Sequence, residues 1–117
     1  ARIDTPTDQL VWARGYDHTY ILDKPLGKLG FAARCTSPKT GITMEVYTDQ
    51  PGVQLYTGNW MSGNMRGKHG HRYPARAALC LETQHYPDSP NRPEYPTTRL
   101  NPGETFHSVT AFRFTVG

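Results

Sequence analysis

Glu82 is the first residue of the sequence whose setting suggests chemistry. It follows the apolar run Ala-Leu-Cys-Leu within AALCLET (77–83) and precedes a loop rich in proline. The period-two pattern of a strand places Leu79 and Leu81 on one face, and Cys80 and Glu82 on the other. If that second face lines a cleft, desolvation raises the pKa of Glu82 toward that of a general base. The alternative is an exposed glutamate at a strand end.

Two other polar residues could hold a ligand. Asp17 precedes His18 in GYDHTYIL (15–22), and such a pair orients an imidazole or binds a polar group. A turn aspartate that bonds its own backbone is the alternative. Gln54, in VQLYTG (53–58), offers both a donor and an acceptor to a sugar hydroxyl. It could equally be an ordinary residue facing solvent.

The remaining candidates have weaker support. Aromatic side chains could stack on the C–H face of a sugar or simply pack, and they are Trp12, Trp60, Tyr86 and Tyr95. His69 and His71 share one face in HGH, but a metal site needs three or four ligands, so no metal is expected. Nucleotide-binding glycine motifs and the GxSxG elbow do not occur in the sequence.

Short strands must position these residues. Period-two alternation and turn signals predict an all-β chain of about six strands, of the antiparallel β-sandwich type. In residues 42–48, Ile42, Met44 and Val46 are expected to share the buried face. Residues 30–37 and 42–48 should form a hairpin, no helix of useful length is expected, and the sheet edges should be exposed. The predicted strands cover residues 18–23, 30–37, 42–48, 53–58, 77–83 and 106–116.

Composition narrows the function classes. The 117 residues make one domain or part of one, and the first residue is Ala rather than Met, so we expect a processed or shortened chain. A net charge of +3 without a run of Lys or Arg disfavours nucleic-acid binding. No apolar run approaches the roughly 20 residues of a membrane span. Cys35 and Cys80 are interpreted as buried thiols rather than a disulfide, which favours a cytoplasmic setting and leaves a periplasmic or secreted one open.

Long segments of the sequence resemble the C-terminal third of the galactose mutarotases, or aldose 1-epimerases. The resemblance covers nearly the whole chain, in several ordered motifs at the spacing of that family. The matching segments are GYDHTYIL (15–22), GVQLYTGNWM (52–61), GKHGHRYPARAALCLETQHYPDSPN (67–91) and YPTTRLNPGETFHSVTAFRF (95–114).

This resemblance implies a fold and an activity. Members of the family adopt a large antiparallel β-sandwich, two to three times the length of this chain, and interconvert the α and β anomers of galactose and glucose without a cofactor. By motif, Glu82 corresponds to the general base in Leu-Glu-Thr-Gln. Asp17 and Gln54 correspond to substrate-binding residues.

The resemblance also implies an incomplete site. The general acid of the family is a histidine in its first two-thirds, which this chain does not contain. We therefore expect the 117 residues alone to be inactive and the missing N-terminal part to be their partner. A non-catalytic carbohydrate-binding β-sandwich is the alternative interpretation, and a structural β domain without a ligand is a third.

Overall fold

Short strands make up most of the regular structure. The structure is a computed structural model that describes residues 2–117. Within that range the six strands form two antiparallel sheets, ordered β1-β4-β5 and β2-β3-β6. The predicted all-β fold class is therefore confirmed. The strands are β1 (Asp17–Ile21), β2 (Gly30–Thr36), β3 (Ile42–Thr48), β4 (Gly52–Tyr56), β5 (Cys80–Gln84) and β6 (Thr110–Val116).

The predicted hairpin between residues 30–37 and 42–48 is present as β2 and β3. Its turn closes where the Gly41 N–H donates to the Ser37 carbonyl at 2.9 Å. Gly41 has a φ of +71°, which glycine adopts without steric strain. The last strand, β6, pairs with β3 on the opposite side from β2, so β3 is the central strand of this sheet.

A short helix precedes β1, although the sequence predicted no helix of useful length. It is α1 (Asp8–Ala13), six residues long. A segment of that length is too short to show helical periodicity, so the pattern in the sequence did not reveal it. The helix ends at Arg14, which has a left-handed φ of 58° and whose N–H turns back to the carbonyls of Leu10 and Val11. Single 3₁₀ turns lie at Arg2–Asp4, Lys68–Gly70 and Ser89–Asn91.

The apolar core is small. Among residues 2–117, the buried hydrophobic side chains are Val46 at 0% and Val53 at 3% exposure. The expected buried face of β3 is only partly right, because Val46 is buried but Ile42 is 45% exposed. Every residue of β6 is exposed, including Phe114 at 63%. Alternation shows which face a strand would bury, but burial requires a second layer that covers that face.

Contacts divide the chain into two compact units. The first comprises the residues up to His18 together with Gln54–Glu82, and it contains Asp17, Gln54 and Glu82. The second comprises Thr19–Val53 with Thr83–Gly117, and it contains the whole β2-β3-β6 sheet. Across residues 2–117, no helix has the length and apolarity needed to cross a bilayer.

Candidate active site

Three neighbouring strands carry the three polar residues that the sequence singled out. Asp17 is the first residue of β1, Gln54 is the third of β4, and Glu82 is the third of β5. The strand order β1-β4-β5 makes β4 the middle strand, between the aspartate and the glutamate strands. Hydrogen-bonded strands lie about 4.7–4.9 Å apart. The sheet therefore brings residues that are far apart in sequence onto adjacent backbones.

Asp17 and Gln54 are in direct contact. The Gln54 amide donates from Nε2 to Asp17 Oδ1 at 2.8 Å. Asp17 is exposed and Gln54 is half-buried. The bond fixes one carboxylate oxygen of Asp17, and its exposed position leaves the group accessible to a ligand. A carboxylate paired with an amide presents both acceptors and donors, as a polyhydroxylated ligand requires.

The peptide before Asp17 is held from both sides. The Tyr16 N–H donates to Thr57 Oγ1 at 3.0 Å, and Asn59 Nδ2 donates to the Tyr16 carbonyl at 2.8 Å. Thr57 Oγ1 in turn donates to Asn59 Oδ1 at 2.6 Å. These contacts close a ring of hydrogen bonds around one peptide, and sequence analysis did not find them. The polar Thr-Gly-Asn segment lies directly after β4, but its residue types do not reveal which peptide its side chains contact.

Gly15 makes this arrangement sterically possible. Its φ is +144°, and a Cβ at this position would lie 2.3 Å from Asn59 Oδ1 and 2.9 Å from Thr57 Oγ1. No side chain fits at those distances, so only glycine allows Thr57 and Asn59 to approach the backbone this closely.

The Glu82 side chain lacks hydrogen bonds of the kind that hold Asp17, as judged over residues 2–117. The residue is exposed, and within residues 2–117 its carboxylate bonds to no donor and no cation. A strand position orients its backbone, while its side chain remains open to solvent.

The Asp17-His18 pair differs from the expected carboxylate–imidazole contact. His18 Nδ1 accepts the backbone N–H of Asp17 at 2.9 Å, and the imidazole lies edge-on to Tyr16 with ring centroids 6.0 Å apart. The bond to Nδ1 places the ring proton of a neutral His18 on Nε2. The Asp17 carboxylate is thus paired with Gln54, and its backbone is what contacts His18.

Three of the four aromatic candidates contact another side chain, and the fourth, Trp12, is exposed. Tyr86 packs edge-on against Tyr95 at 5.2 Å, within the proline-rich loop. The Arg14 guanidinium lies over Trp60, with its Cζ 4.7 Å from the centroid of the Trp60 ring. Trp12, on α1, is 74% exposed and remains free to contact a ligand or another surface.

The histidines and thiols in the described region form no metal cluster. Residues 2–117 contain no group of three His, Cys, Asp or Glu side chains placed to hold a metal ion. Cys35 and Cys80 are free thiols, as interpreted from the sequence, but the expectation that both are buried is wrong. Cys80 is exposed because β5 alternates between partly covered and exposed positions without a layer over its second face.

A second polar cluster lies in the Thr19–Val53 and Thr83–Gly117 unit. The side chain of Gln50, a residue only 7% exposed, bonds to His85 Nδ1 at 2.8 Å and to Ser108 Oγ at 2.9 Å. Burial acts to raise the pKa of Asp49, but the Val109 N–H, the Ser108 hydroxyl and the Gln50 amide together hold that pKa below its usual value. A cavity of about 590 Å³ opens beside Gln50 and His85.

Comparison with known proteins places these elements in a wider setting. The family model described as Aldose 1-epimerase matches residues 2–113. Galactose mutarotases from Mus musculus and Homo sapiens are 47% and 45% identical over 102 residues, which is 87% of this chain and 30% of each relative. The aldose 1-epimerase of Escherichia coli K12 is 36% identical over 104 residues, 86% of this chain and 30% of the relative.

A solved structure has the same fold over most of the chain. It is the crystal structure of a GalM/aldose epimerase homologue from C. elegans, with a TM-score of 0.75 and 27% identity. The match covers 86% of this chain and 30% of that chain. The chain thus spans about 30% of the length of the curated relatives it matches, and the matched stretch is their C-terminal part.

Proposed function

This chain belongs to the aldose 1-epimerase family, and we propose that the protein of which it is the C-terminal part interconverts the α and β anomers of free aldohexoses. Galactose and glucose are the proposed substrates. The observation that carries the proposal is the bonded pair of Asp17 and Gln54 on strands adjacent to the one that bears Glu82. The resemblance to the family's motifs supports the proposal that Asp17 and Gln54 bind the substrate and that Glu82 is the general base.

The proposed roles follow from the chemistry of anomerisation. Opening the ring requires a base that takes the proton from the C1 hydroxyl and an acid that protonates the ring oxygen. Rotation about the C1–C2 bond and reclosure on the other face of the aldehyde give the opposite anomer. Glu82 is the proposed base, because its carboxylate is unpaired among residues 2–117 and is available to accept a proton. Asp17 and Gln54 are the proposed contacts to the sugar hydroxyls.

The general acid is proposed to come from the part of the protein that precedes this chain. The exposed apolar faces, such as β6 with Phe114 at 63% exposure, support such a partner. Covering them with a further layer of sheet would bury apolar surface and partly desolvate the carboxylates. The chemistry requires no cofactor. The free thiols of Cys35 and Cys80 support the proposal of a reducing, cytoplasmic setting.

A polarimetric assay on the complete protein tests this function. The optical rotation of freshly dissolved α-D-galactose and α-D-glucose should relax faster in its presence than in buffer alone. Calorimetric titration with the same sugars separates the alternatives. Binding without faster relaxation would replace the proposal with the non-catalytic carbohydrate-binding function, and the absence of both effects would favour a structural domain.

A further inference from the structure

The position of Asp17 depends on the peptide directly before it. The Tyr16 N–H donates to Thr57 Oγ1 at 3.0 Å, and the Tyr16 carbonyl accepts from Asn59 Nδ2 at 2.8 Å. Because Thr57 Oγ1 also donates to Asn59 Oδ1 at 2.6 Å, the three residues form a closed ring of hydrogen bonds. We call this the Tyr16 ring. It leaves neither polar group of the Tyr16 backbone without a partner.

The Tyr16 ring lies in a largely buried part of the chain. Asn59 is 6% exposed, and Gly15 is buried against it. A buried amide whose oxygen and nitrogen are both hydrogen-bonded has one favoured orientation, since any other breaks these bonds. The ring therefore defines one geometry for the chain as it enters β1.

The ring links the backbones that carry the two bonded site residues. Tyr16 directly precedes Asp17, and Thr57 lies three residues after Gln54. A backbone bond from the Thr57 N–H to the Tyr16 carbonyl, at 3.1 Å, continues the pairing of the two segments. The side-chain ring adds a constraint that this single bond cannot provide, because it fixes both the N–H and the C=O of Tyr16. The 2.8 Å contact between Gln54 and Asp17 joins the same two segments.

We propose that Thr57 and Asn59 are positioning residues that set the carboxylate of Asp17 for sugar binding through the Tyr16 backbone. This inference rests on the proposed function, because it assigns the ring to the same substrate site. Thr57 and Asn59 are not expected to touch the sugar. A small displacement of a binding group weakens binding substantially, since the hydrogen bonds to the ligand depend on distance and angle.

The test compares two substitutions at one position in the complete protein. Thr57→Val keeps the shape of the side chain but removes the hydroxyl, so the Tyr16 N–H and Asn59 Oδ1 lose their partner. Thr57→Ser keeps the hydroxyl. We expect KM for galactose to rise about tenfold in Thr57→Val, with kcat and its pH profile unchanged. Thr57→Ser should stay within about twofold of the wild type.

A double-substitution cycle separates positioning from a general structural role. If Thr57 acts through Asp17, then Thr57→Val should lower kcat/KM less than about twofold once Asp17→Ala is already present. An equal loss in both backgrounds would overturn the proposal. Circular dichroism should show the same strand content in each variant. Asn59→Asp, which places an oxygen against the Tyr16 carbonyl, is the second test of the ring. If Thr57→Val does not fold, Asn59→Asp should show the same rise of about tenfold in KM.

A crystal structure of the Thr57→Val protein provides a readout that does not depend on activity. We expect the distance between Gln54 Nε2 and Asp17 Oδ1 to lengthen, and an unchanged 2.8 Å contact would overturn the inference. If the wild-type protein does not catalyse anomerisation, the proposed function fails, and this distance still decides the positioning role. Loss of folding in both Thr57→Val and Asn59→Asp would also overturn the proposal, because it assigns the ring a local effect.

Discussion

Glu45 and Glu82 are both strand glutamates, but their surroundings are opposite. Glu45, on the central strand β3, accepts hydrogen bonds from Arg34 Nε at 2.9 Å and from the Tyr47 hydroxyl at 3.1 Å. Arg113 Nη1 lies 3.8 Å from Glu45 Oε2, and the Glu45 side chain is 12% exposed. Glu82, on β5, is exposed and bonds to no donor or cation within residues 2–117.

The difference shows what each carboxylate is suited to do. Hydrogen bonds from Arg34 and then Tyr47 hold the pKa of Glu45 below its usual value of 4.5. A carboxylate stabilised in this way remains ionised and is a weak base. Glu45 is therefore suited to stabilising the β2-β3-β6 sheet rather than to accepting a proton. Among residues 2–117, no cation lies beside Glu82 to stabilise its charge. Its exposed carboxylate is therefore open to accept a proton, as the proposed general base must be.

The largest effect is expected when the 117-residue chain, which carries Glu82, is assayed by itself. We expect the 117 residues alone to show no anomerisation above buffer, since the chain supplies the proposed base but not the acid. Polarimetry with galactose makes the measurement, and circular dichroism confirms that the strands are present. Robust turnover by the folded chain would show that Glu82 needs no partner from outside the chain.

Matched substitutions of the two glutamates test the contrast directly. In the complete protein, Glu82→Gln keeps the shape but removes the base, and we expect kcat to fall by about 10²–10⁴-fold. Glu45→Gln is the control, and its kcat should stay within about twofold of the wild type. Polarimetric rates comparable for both variants would contradict the assignment of the base.

Asp17 provides the next smaller effect, on binding rather than proton transfer. Asp17→Ala removes the acceptor that Gln54 holds, and loss of a charged hydrogen bond to the sugar should lower kcat/KM by about 10- to 100-fold. Most of the loss should appear in KM. Measurement of both kinetic constants decides this, because a fall confined to kcat would give Asp17 a role in the proton transfer assigned to Glu82.

The smallest expected effect is on stability at acid pH. Because folding lowers the pKa of Glu45 below its usual 4.5, its contribution to stability is present above that value and is lost as the pH falls through the lowered pKa. Glu45→Gln should therefore lower the unfolding midpoint by about 1–2 °C near neutral pH. The difference from wild type should vanish in acid. A thermal scan across pH measures it, and a difference independent of pH would disprove the role of the charge.

Much of the fold could be predicted because period-two patterns depend on local residue types. The hairpin of β2 and β3 was found from its alternation and from the turn at Ser37–Gly41. Burial was predicted less well, since Ile42 is exposed where the pattern placed it inside, and Cys80 is exposed although it was interpreted as a buried thiol. A pattern specifies the face of a strand, whereas coverage of that face depends on surfaces elsewhere in the protein.

The candidate site shows the same limit. The motifs of the family indicated Asp17, Gln54 and Glu82, and the residue types suggested a base and two ligand-binding groups. No local pattern indicated that Thr57 and Asn59 enclose the Tyr16 peptide. Their hydrogen bonds cross more than 40 residues of sequence, and a contact of that span has no signature in the neighbouring residue types.

The sequence by itself determined the strands, the turns and the chemical character of each candidate side chain, because these follow from residue type and short spacing. Only the tertiary structure decided which carboxylate is paired and which is free. Pairing needs two groups within hydrogen-bond distance, and that distance is set by strand order and register. Register placed Arg34 opposite Glu45, and strand order placed Gln54 beside Asp17. Glu82 has no such partner in the described part of the chain, residues 2–117.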